Sequence, residues 1–402
     1  MRHRFGLRTL LASATLFAAA VPVCAQGGGL SDYYVPSTPS INAPLPTGNP
    51  RGGGLFASQE FIYLQQTRTL QNQVIATRGF YDAGGLITGT PGQFVGSGTV
   101  ALQTDDLGRS SYAPGYRVTV GWKTEDNMSF YLSFLQTANA KYNAGASITP
   151  QFFRGPRNLA DTFISSPVFN FPPSYAGPLL DTQFDVTTGQ TGNTYGIWNA
   201  ADEMTIEYIQ RYTTGDIGAK IPMFQTEYSR VYGTAGLRYA WFYERFVWRT
   251  VDRDINGVAT DSDSALYRNT ISQRNYGPFV GCGHEIYMGK AFAFSADVSA
   301  SALAGIVKEL VKYKLGDPIF PTSNKRSRSA FDIVPNLNAE VNATWYPLEG
   351  VEMRVGYMAN MYFNTVSMKQ PVAFNFGALD AQYGTQVFRL VHGFNVGVGF
   401  FF

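Results

Sequence analysis

The sequence predicts an all-β protein, a transmembrane antiparallel β-barrel of about 10–12 strands with short periplasmic turns and long external loops. Three observations lead to this prediction. Side chains alternate between apolar and polar along much of the chain, as they do in strands with two different faces. The apolar faces are almost free of charge. The connections between the predicted strands alternate between short and long, which is typical of barrels in the bacterial outer membrane.

The N-terminus has the features of an export signal. Three arginines precede an apolar stretch from Leu10 to Val23 that is too short to span a bilayer. We therefore assign residues 1–25 to a cleaved signal peptide, with an uncleaved membrane anchor as the alternative. Residues 26–52 are rich in Pro, Gly and Ser and are predicted to be a disordered linker, and residues 53–402 are assigned to the barrel.

The mature chain is expected to lack both disulfides and helical membrane spans. Cleavage of the signal removes Cys24 and leaves Cys282 as the remaining cysteine, so no internal disulfide can form. After the signal, no apolar stretch approaches the roughly 18 residues that a membrane helix requires. If the mature protein meets lipid, a closed barrel is then the remaining way to pair every backbone group.

The composition suits a large β structure that faces something other than water. Charged residues make up 15% of the chain and aromatic residues another 15%, and there are 42 glycines. The formal net charge of +2 gives no electrostatic reason to expect a nucleic acid partner. A soluble β-sandwich is a further alternative, because a sugar-binding sandwich can have a similar composition.

The clearest strands lie in the C-terminal third of the chain. Residues 331–346 and 351–365 alternate between apolar and polar on either side of the turn "PLEG", with Pro335 as an interruption of the first strand, and the last residues, "FRLVHGFNVGVGFFF", repeat the pattern. The same reading places strands around residues 116–122, 128–134, 204–208, 237–243, 276–286 and 292–302. A first strand is predicted near 54–66, although "FIYL" makes both of its faces apolar.

The connections alternate in length with one exception. Short links are predicted at 123–127, 288–291 and 347–350, and long ones at 67–113, 141–202, 252–266, 314–330 and 366–385. The link at 213–231 should be short and is not, so it could contain a further pair of strands. The segments "NQVIATRGFY" and "GTVALQTDD" in the first long loop could form another pair, which keeps twelve strands open as an alternative to ten.

The energetic cost of placing a charged side chain in lipid decides which face of the sheet meets the membrane. A Lys or Arg on the lipid face costs about 2–4 kcal/mol at the bilayer midplane, so the uncharged stripes should point outward. In the strand near residue 204, Met204, Ile206 and Tyr208 are then predicted to face lipid. The charged residues predicted to line the lumen are Arg117, Glu203, Glu207, Arg211, Arg238, Glu244, Glu285, Asp297, Asp332, Glu340, Glu352, Arg354 and Arg389.

The end of the chain resembles the C-terminal signal of outer-membrane barrels. These proteins commonly end in a pattern of polar, Gly and hydrophobic residues that closes on an aromatic residue. Asn395, Gly397, Phe400 and Phe402 match this pattern. The resemblance implies that the barrel-assembly machinery recognises these residues.

A second resemblance covers most of the mature chain. The phrases "LFASQEFIYL", "PGYRVTVGW", "YGTAGLRYAWF" and "NYGPFVGCGHEIYM", together with the aromatic terminus, resemble those of pore-forming barrels like the Legionella major outer membrane protein. Planctomycete β-barrel porins are built in a related way. This resemblance implies a single-chain outer-membrane barrel with a passive pore. It brings no catalytic or binding motif.

The sequence gives little support for an enzyme, a metal site or a cofactor. The histidines of the mature chain are His284 and His392, and the second falls in the lipid-facing register of the last strand. His284 and Glu285 are adjacent on a strand, so they point to opposite faces and cannot both bind one metal ion. We therefore predict no catalytic residue, no metal ligand and no cofactor.

The predicted function is a passive, porin-like channel for small solutes or ions in the outer membrane, surrounded by outer-membrane lipid. The alternative is a structural or adhesion barrel with a filled lumen and functional external loops, because interior side chains fill small barrels.

The loop 141–202 could enter the barrel, cap its mouth or bind a partner, or be a mobile external loop. The basic segment 325–328 is predicted to be a solvated external loop, with contact to acidic surface glycans as the alternative. The sequence does not determine the oligomeric state.

Overall fold

The computed structural model describes residues 54–82, 88–90, 93–147, 163–170, 196–226, 228–252, 259, 263–289, 291–316 and 323–402. The predicted signal peptide and linker lie outside these residues. The strands are β1 Gly54–Gln66, β2 Val74–Arg78, β3 Phe80–Asp82, β4 Gln93–Val95, β5 Val100–Gln103, β6 Tyr112–Lys123, β7 Ser129–Thr137, β8 Ala140–Ser147, β9 Ile164–Ser165, β10 Glu203–Gln225, β11 Ser229–Val251, β12 Ser264–Met288, β13 Phe292–Leu315, β14 Ser323–Leu348, β15 Val351–Gln370 and β16 Gln382–Phe401. A 3₁₀ helix spans Thr104–Leu107, and a short helix, α1, spans Gly196–Asn199.

Ten antiparallel wall strands of the described chain close into a ring. Their order is β1, β6, β7 with β8, β10, β11, β12, β13, β14, β15 and β16, and β16 pairs with β1. β7 and β8 are successive parts of one wall strand, because β7 pairs with one half of β10 and β8 with the other half. The prediction of a barrel is confirmed, with ten wall strands rather than twelve.

The short turns lie on one rim of the ring. There the paired strand ends lie at most six residues apart in sequence, at Lys123 and Ser129, Gln225 and Ser229, Met288 and Phe292, and Leu348 and Val351, and β1 begins and β16 ends at the same rim. We take this rim as periplasmic, because outer-membrane barrels have short periplasmic turns and long external loops. The prediction of a long link at 213–231 was wrong. β10 continues to Gln225 and β11 starts at Ser229, so the connection on this rim is short. Glycines in this segment hide the alternation that Ile217 and Ile221 continue on the outer face.

The strands extend well beyond the membrane on the external side. A strand crosses a bilayer with about 9–11 residues, whereas β14 contains 26 residues and β12 contains 25. This extension shortens several predicted loops: residues 316–322 and 371–381 now connect strands for which longer links were predicted. The predicted strand pair in the first long loop exists as β2 and β5, but it lies in a separate sheet with β9 and adds nothing to the wall.

The outer face of the periplasmic half is apolar, as predicted. Phe394 is 54% exposed and Phe400 is 44% exposed, and both point outward with Leu237, Val355 and Trp122. Such a continuous exposed apolar surface is covered by hydrocarbon in an outer-membrane barrel. Among the described residues, no helix is long and apolar enough to cross a membrane.

In the external half of β10, the prediction that the apolar stripe faces lipid was wrong. Met204, Ile206 and Tyr208 are fully buried inside the barrel, whereas Glu203 and Glu207 lie on the outer face. The reason is that this part of β10 lies above the membrane. There the outer face meets water, and the apolar stripe packs against the chain segments inside the barrel.

Those inner segments form a hydrophobic core within the external half of the barrel. The small sheet, α1 and the connection between β15 and β16 contribute Ile75, Leu102, Ile164, Trp198 and Phe376. The ring of wall strands contributes further aromatic residues, including Trp248, Tyr267 and Tyr313. The described parts of the predicted loop 141–202 that enter this core are residues 163–170 and 196–201. Entry into the barrel was one of the predicted arrangements of that loop.

Candidate functional site in the barrel lumen

A network of charged side chains occupies the lumen toward the periplasmic rim. Glu60 is buried at its centre and contacts Arg117 of β6, Arg354 of β15 and Asn395 of β16. Arg117 also donates to both carboxylate oxygens of Glu340, at 2.7 and 2.6 Å. This second contact joins β6 to β14 across the lumen. Charged groups that meet in this way satisfy one another, as expected in a narrow barrel.

A second polar group lies beside the first, around Arg238 of β11. Its guanidinium donates to Asp216 of β10 at 2.9 and 2.8 Å and to Asn336 of β14 at 2.7 Å. The ring of Phe279 lies 4.8 Å from the same guanidinium. Nearby, the hydroxyl of Tyr232 donates to Asp297 at 2.6 Å.

These networks line a cavity of about 270 Å³. Lys123, Asn127 and Phe401 line its lower end, so the cavity extends to the periplasmic rim. Its walls carry both signs of charge, from Arg117 and Lys220 to Glu285 and Asp297. The balance of charge favours neither cations nor anions.

An apolar layer lies above this cavity and crosses the lumen. It consists of Ile62, Leu64, Leu135, Tyr212, Ala240, Phe242, Leu303, Val334, Met358, Tyr362 and Val391. These buried side chains come from eight of the ten wall strands and form one contact cluster. We call this set the apolar belt.

The apolar belt contains a direct bridge across the ring. The hydroxyls of Tyr212 and Tyr362 lie 2.7 Å apart, and the ring of Phe242 packs between their strands, 4.8 Å from Tyr362 and 5.4 Å from Tyr212. Tyr212 is on β10 and Tyr362 is on β15, which lie five strands apart in the ring of ten. Side chains from opposite sides of the lumen therefore touch.

A buried ion pair bridges the lumen just above the belt. Arg389 of β16 and Glu244 of β11 are 0% and 1% exposed, and their closest atoms are 2.6 Å apart. Glu244 also accepts the backbone N–H of Met368 at 3.2 Å, and Arg389 donates to the carbonyl of Val366 at 3.0 Å. The guanidinium also lies 4.8 Å from the ring of Phe242. The ion pair therefore holds the external end of β15 to β16, its neighbour in the ring, and to β11 across the lumen.

Residues 371–381, which we call the strap, leave β15 at this point and cross the external half of the lumen. Tyr267 accepts the N–H of Ala373 at 2.9 Å and donates to the carbonyl of Pro371 at 3.2 Å. Gln73 pairs with both backbone groups of Val372, at 2.9 and 3.1 Å. Burial raises the pKa of the Tyr267 hydroxyl well above its ordinary value, so the hydroxyl that holds the strap stays protonated even in alkaline solution.

Most of the predicted lumen residues point into the barrel. Arg117, Arg238, Glu244, Glu340, Arg354 and Arg389 lie in the contacts above, Glu352 pairs with Arg354 at 2.8 Å, and Glu285 pairs with Arg230 at 2.8 Å. Asp297 accepts from Tyr232, and Asp332 is half-buried on the inward face of β14. The prediction was wrong for Glu203, Glu207 and Arg211, which lie on the outer face of β10 above the membrane.

Sequence reasoning missed several residues that hold the lumen closed. Glu60 was missed because both faces of the first strand are apolar, and Asp216 was missed because its segment was read as a loop. Tyr212 and Tyr362 were missed for a different reason. An aromatic side chain in a strand has the same pattern whether it fills a lumen or faces lipid, so only the position of the strand in the ring distinguishes the two.

The residues of the C-terminal pattern divide between the two faces. Asn395 is fully buried and donates to Glu60 at 3.0 Å, and a Cβ atom at Gly397 would lie 2.3 Å from the side chain of Glu60. Phe400 and Phe402 point outward and are exposed. The alternation of the last strand therefore places its small and polar residues in the lumen.

The histidines of the described chain, His284 and His392, lie on the outer face of the barrel. His284 bonds Ser229 at 2.8 Å, while its neighbour Glu285 points inward, and His392 bonds the hydroxyl of Tyr357 at 2.6 Å. In the part of the chain that the structure describes, no three His, Cys, Asp or Glu side chains group as metal ligands.

A family model described as the Legionella pneumophila major outer membrane protein precursor matches residues 180–398, more than half of the chain. The chain belongs to this family. The resemblance seen in the sequence is thereby confirmed, and the protein is an outer-membrane β-barrel of the Legionella major outer membrane protein family. No curated protein sequence matches the chain.

Solved structures similar to this family member are outer-membrane proteins with little sequence identity. The Escherichia coli outer membrane protease OmpT is 11% identical, with 87% of this chain and 97% of that chain covered and a TM-score of 0.38. The Yersinia pestis attachment invasion locus protein Ail is also 11% identical, with coverages of 87% and 99% and a TM-score of 0.19. The P. putida toluene transporter TodX is 6% identical, with coverages of 89% and 92% and a TM-score of 0.22. At these TM-scores the similarities support no conclusion about the function of this chain.

Proposed function

We propose that the protein is a closed outer-membrane barrel with a structural or adhesion role, rather than an open porin. The observation that carries this proposal is the 2.7 Å contact between the hydroxyls of Tyr212 and Tyr362, which come from opposite sides of the ring. An open channel needs a continuous path for water, and side chains that touch across the diameter interrupt it. No catalytic residue, metal or cofactor is part of the proposal.

The energetic cost of opening supports this proposal. The apolar belt and the core above it are buried, and exposing one large apolar side chain costs about 1.5–3 kcal/mol. A path for solutes would require several of these side chains to move together with the strap. Spontaneous opening should therefore be rare.

Planar-bilayer conductance of the purified full chain tests the proposal. We expect no channel steps at any protein concentration, and no swelling of liposomes in isotonic solutions of small sugars. Reproducible steps whose frequency rises with protein concentration would reject the closed barrel.

A variant of the same chain provides the positive control. It combines Tyr212→Ala, Phe242→Ala and Tyr362→Ala with replacement of residues 372–380 by a short Gly-Ser linker. These changes remove both the belt bridge and the strap, so channel steps from this variant would show that the chain inserts and that the assay detects an opened lumen. Silence of the wild type beside a conducting variant then reflects closure rather than failed insertion.

The second candidate function is a passive channel for small solutes that opens when the strap moves. The polar cavity of about 270 Å³ at the periplasmic rim favours it, because a purely structural barrel does not require a polar cavity that extends to this rim. The pore implied by the sequence resemblance favours it too. This candidate expects steps from the wild type, with longer open times when residues 372–380 are replaced.

A further inference from the structure

The outer wall above the membrane is strongly basic on one side of the barrel. The outward-facing cations on β10–β14 are Arg211, Arg245, Arg249, Arg268, Arg274, Lys308, Lys312, Lys314 and Lys325. On the other side, the outward positions above the apolar surface include Gln65, Tyr112 and Gln386, which are uncharged. The positive charge is therefore a local feature of the wall.

Three of these cations stand side by side in the sheet. Arg268 is in register with Lys312, and Lys312 is in register with Lys325, so they form a row across β12, β13 and β14. Directly opposite residues have Cβ atoms about 4.5–5.5 Å apart, and like charges at that spacing are destabilising. The row would be unfavourable with nothing bound to it.

The described chain supplies no acid to this row. None of the three cations forms an ion pair with a described residue, and the Nε of Arg268 is buried without a hydrogen-bond partner. The neighbouring wall differs, because Arg245 on β11 has Glu207 at 3.6 Å. Glu309 lies close in sequence but points inward toward Arg328. An anion from outside the chain would remove the repulsion.

On the same outer face of β13 and β14, the residues below this row are apolar. Ile306 on β13 and Phe331 on β14 are exposed in the apolar zone, and Lys308 follows two residues above Ile306. At about 3.3 Å per residue, Lys308 lies about 7 Å farther along the strand. The row of Arg268, Lys312 and Lys325 lies beyond it, on the same face. The positive charge therefore begins next to the apolar outer surface and extends away from it along the strands.

We propose that the outer face of β12–β14 binds the phosphate groups of a phosphorylated glycolipid of the outer leaflet. Arg268, Lys308, Lys312 and Lys325, which we call the cationic strip, contact the phosphorylated headgroup. The apolar surface below them, with Ile306 and Phe331, contacts its acyl chains. Charge complementarity and continuity with the lipid-facing surface favour this ligand over a soluble polyanion, which would not use the apolar part.

Binding of bis-phosphorylated lipid A to the full chain in neutral detergent tests the proposal. The strip variant carries Arg268→Gln, Lys308→Gln, Lys312→Gln and Lys325→Gln. The control variant loses the same charge elsewhere through Arg109→Gln, Lys141→Gln, Arg249→Gln and Lys369→Gln. Native mass spectrometry gives the bound lipid, and thermal unfolding with and without lipid gives a second readout.

We expect the strip variant to bind lipid A at least about 100-fold more weakly than the wild type, because each cation near an anionic surface contributes about fivefold in affinity. The control variant should lose less than about fivefold. Dephosphorylated lipid A should bind the wild type weakly, and inorganic phosphate should not raise its unfolding temperature. Without lipid, the strip variant should unfold at a higher temperature than the wild type, because the repulsion is gone.

Three results would overturn the proposal. Equal loss in both variants would mean that general charge, not the strip, attracts the lipid. Equal binding of phosphorylated and dephosphorylated lipid A would mean that acyl chains alone are recognised. Stabilisation by inorganic phosphate equal to that by lipid A would identify a free-anion site instead. A strip variant that fails to fold would be replaced by Lys312→Gln alone, for which a loss of at least about threefold is required.

Discussion

Individual charged residues in this barrel differ in whether their partners lie nearby or across the lumen. Glu244 and Arg389 are fully buried and meet from opposite walls, whereas Glu207 and Arg245 are about one-third exposed on adjacent strands. Removing one partner of a buried pair leaves an uncompensated charge, which is far more costly than the loss of an exposed pair. The contribution of each acid therefore follows from its burial.

We predict that Glu244→Ala lowers the free energy of unfolding by about 3–5 kcal/mol, because Arg389 remains buried without its anion. Unfolding by guanidinium chloride in detergent micelles measures this loss of stability. The matched control is Glu207→Ala, which should cost about 0–1 kcal/mol. Equal effects of the two variants would show that the lumen around Arg389 is wetter than the structure indicates.

At the scale of elements, the strap is held in place by side chains of other elements. Its backbone pairs with Tyr267 of β12 and with Gln73, which precedes β2, and its Phe376 packs edge-on against Trp198 at 5.0 Å. The strap has no ladder of its own along the wall. Its position is therefore set by buried hydrogen bonds and aromatic packing, and loss of one such bond should loosen it locally.

We predict that Tyr267→Phe weakens the strap without opening the wall. The change leaves the N–H of Ala373 buried without an acceptor, which costs about 1–3 kcal/mol. Hydrogen exchange should become at least about fivefold faster for amides of residues 372–380 and stay unchanged in β13 and β14. The control is Tyr243→Phe on the outer face. Unchanged exchange in the strap would mean that other contacts hold it.

The whole molecule closes along a seam between its first and last strands. β1 and β16 pair over eleven residues from Phe56↔Phe401 to Gln66↔Val391, and the N–H of Phe402 donates to Leu55 at 2.8 Å. Phe402 itself is 74% exposed. Its ring therefore adds little to the packing of the barrel and remains available to a partner.

We predict that deletion of Phe402 reduces the amount of folded barrel in the outer membrane by at least about fivefold, because the resemblance to the C-terminal signal of outer-membrane barrels implies that the assembly machinery recognises this residue. Heat-modifiable migration on gels measures the folded fraction in membranes. Refolding of the purified variant into detergent should proceed as for the wild type. A matching defect in refolding would assign Phe402 a structural role instead.

Much of the wall could be predicted from alternation alone. The strands predicted at 331–346 and 351–365 lie within β14 and β15, the one predicted at 388–402 extends one residue beyond the end of β16, and β1 has the predicted bounds of 54–66. The failures have identifiable causes. Around Gly215 and Gly218, small residues have no side chain to mark a face, so a continuous strand was read as a loop. In β10, the apolar stripe of Met204 to Tyr208 was assigned to lipid because alternation does not reveal the height of a residue relative to the membrane.

The sequence by itself determined that the chain forms a two-faced sheet with short turns on one rim, because the period of two and the turn residues are local properties. Only the tertiary structure decided what fills the ring. Tyr212 meets Tyr362 and Glu244 meets Arg389 because ring closure brings β10 opposite β15 and β11 opposite β16. Contacts across a lumen depend on the number of strands in the ring, and no local pattern contains that number.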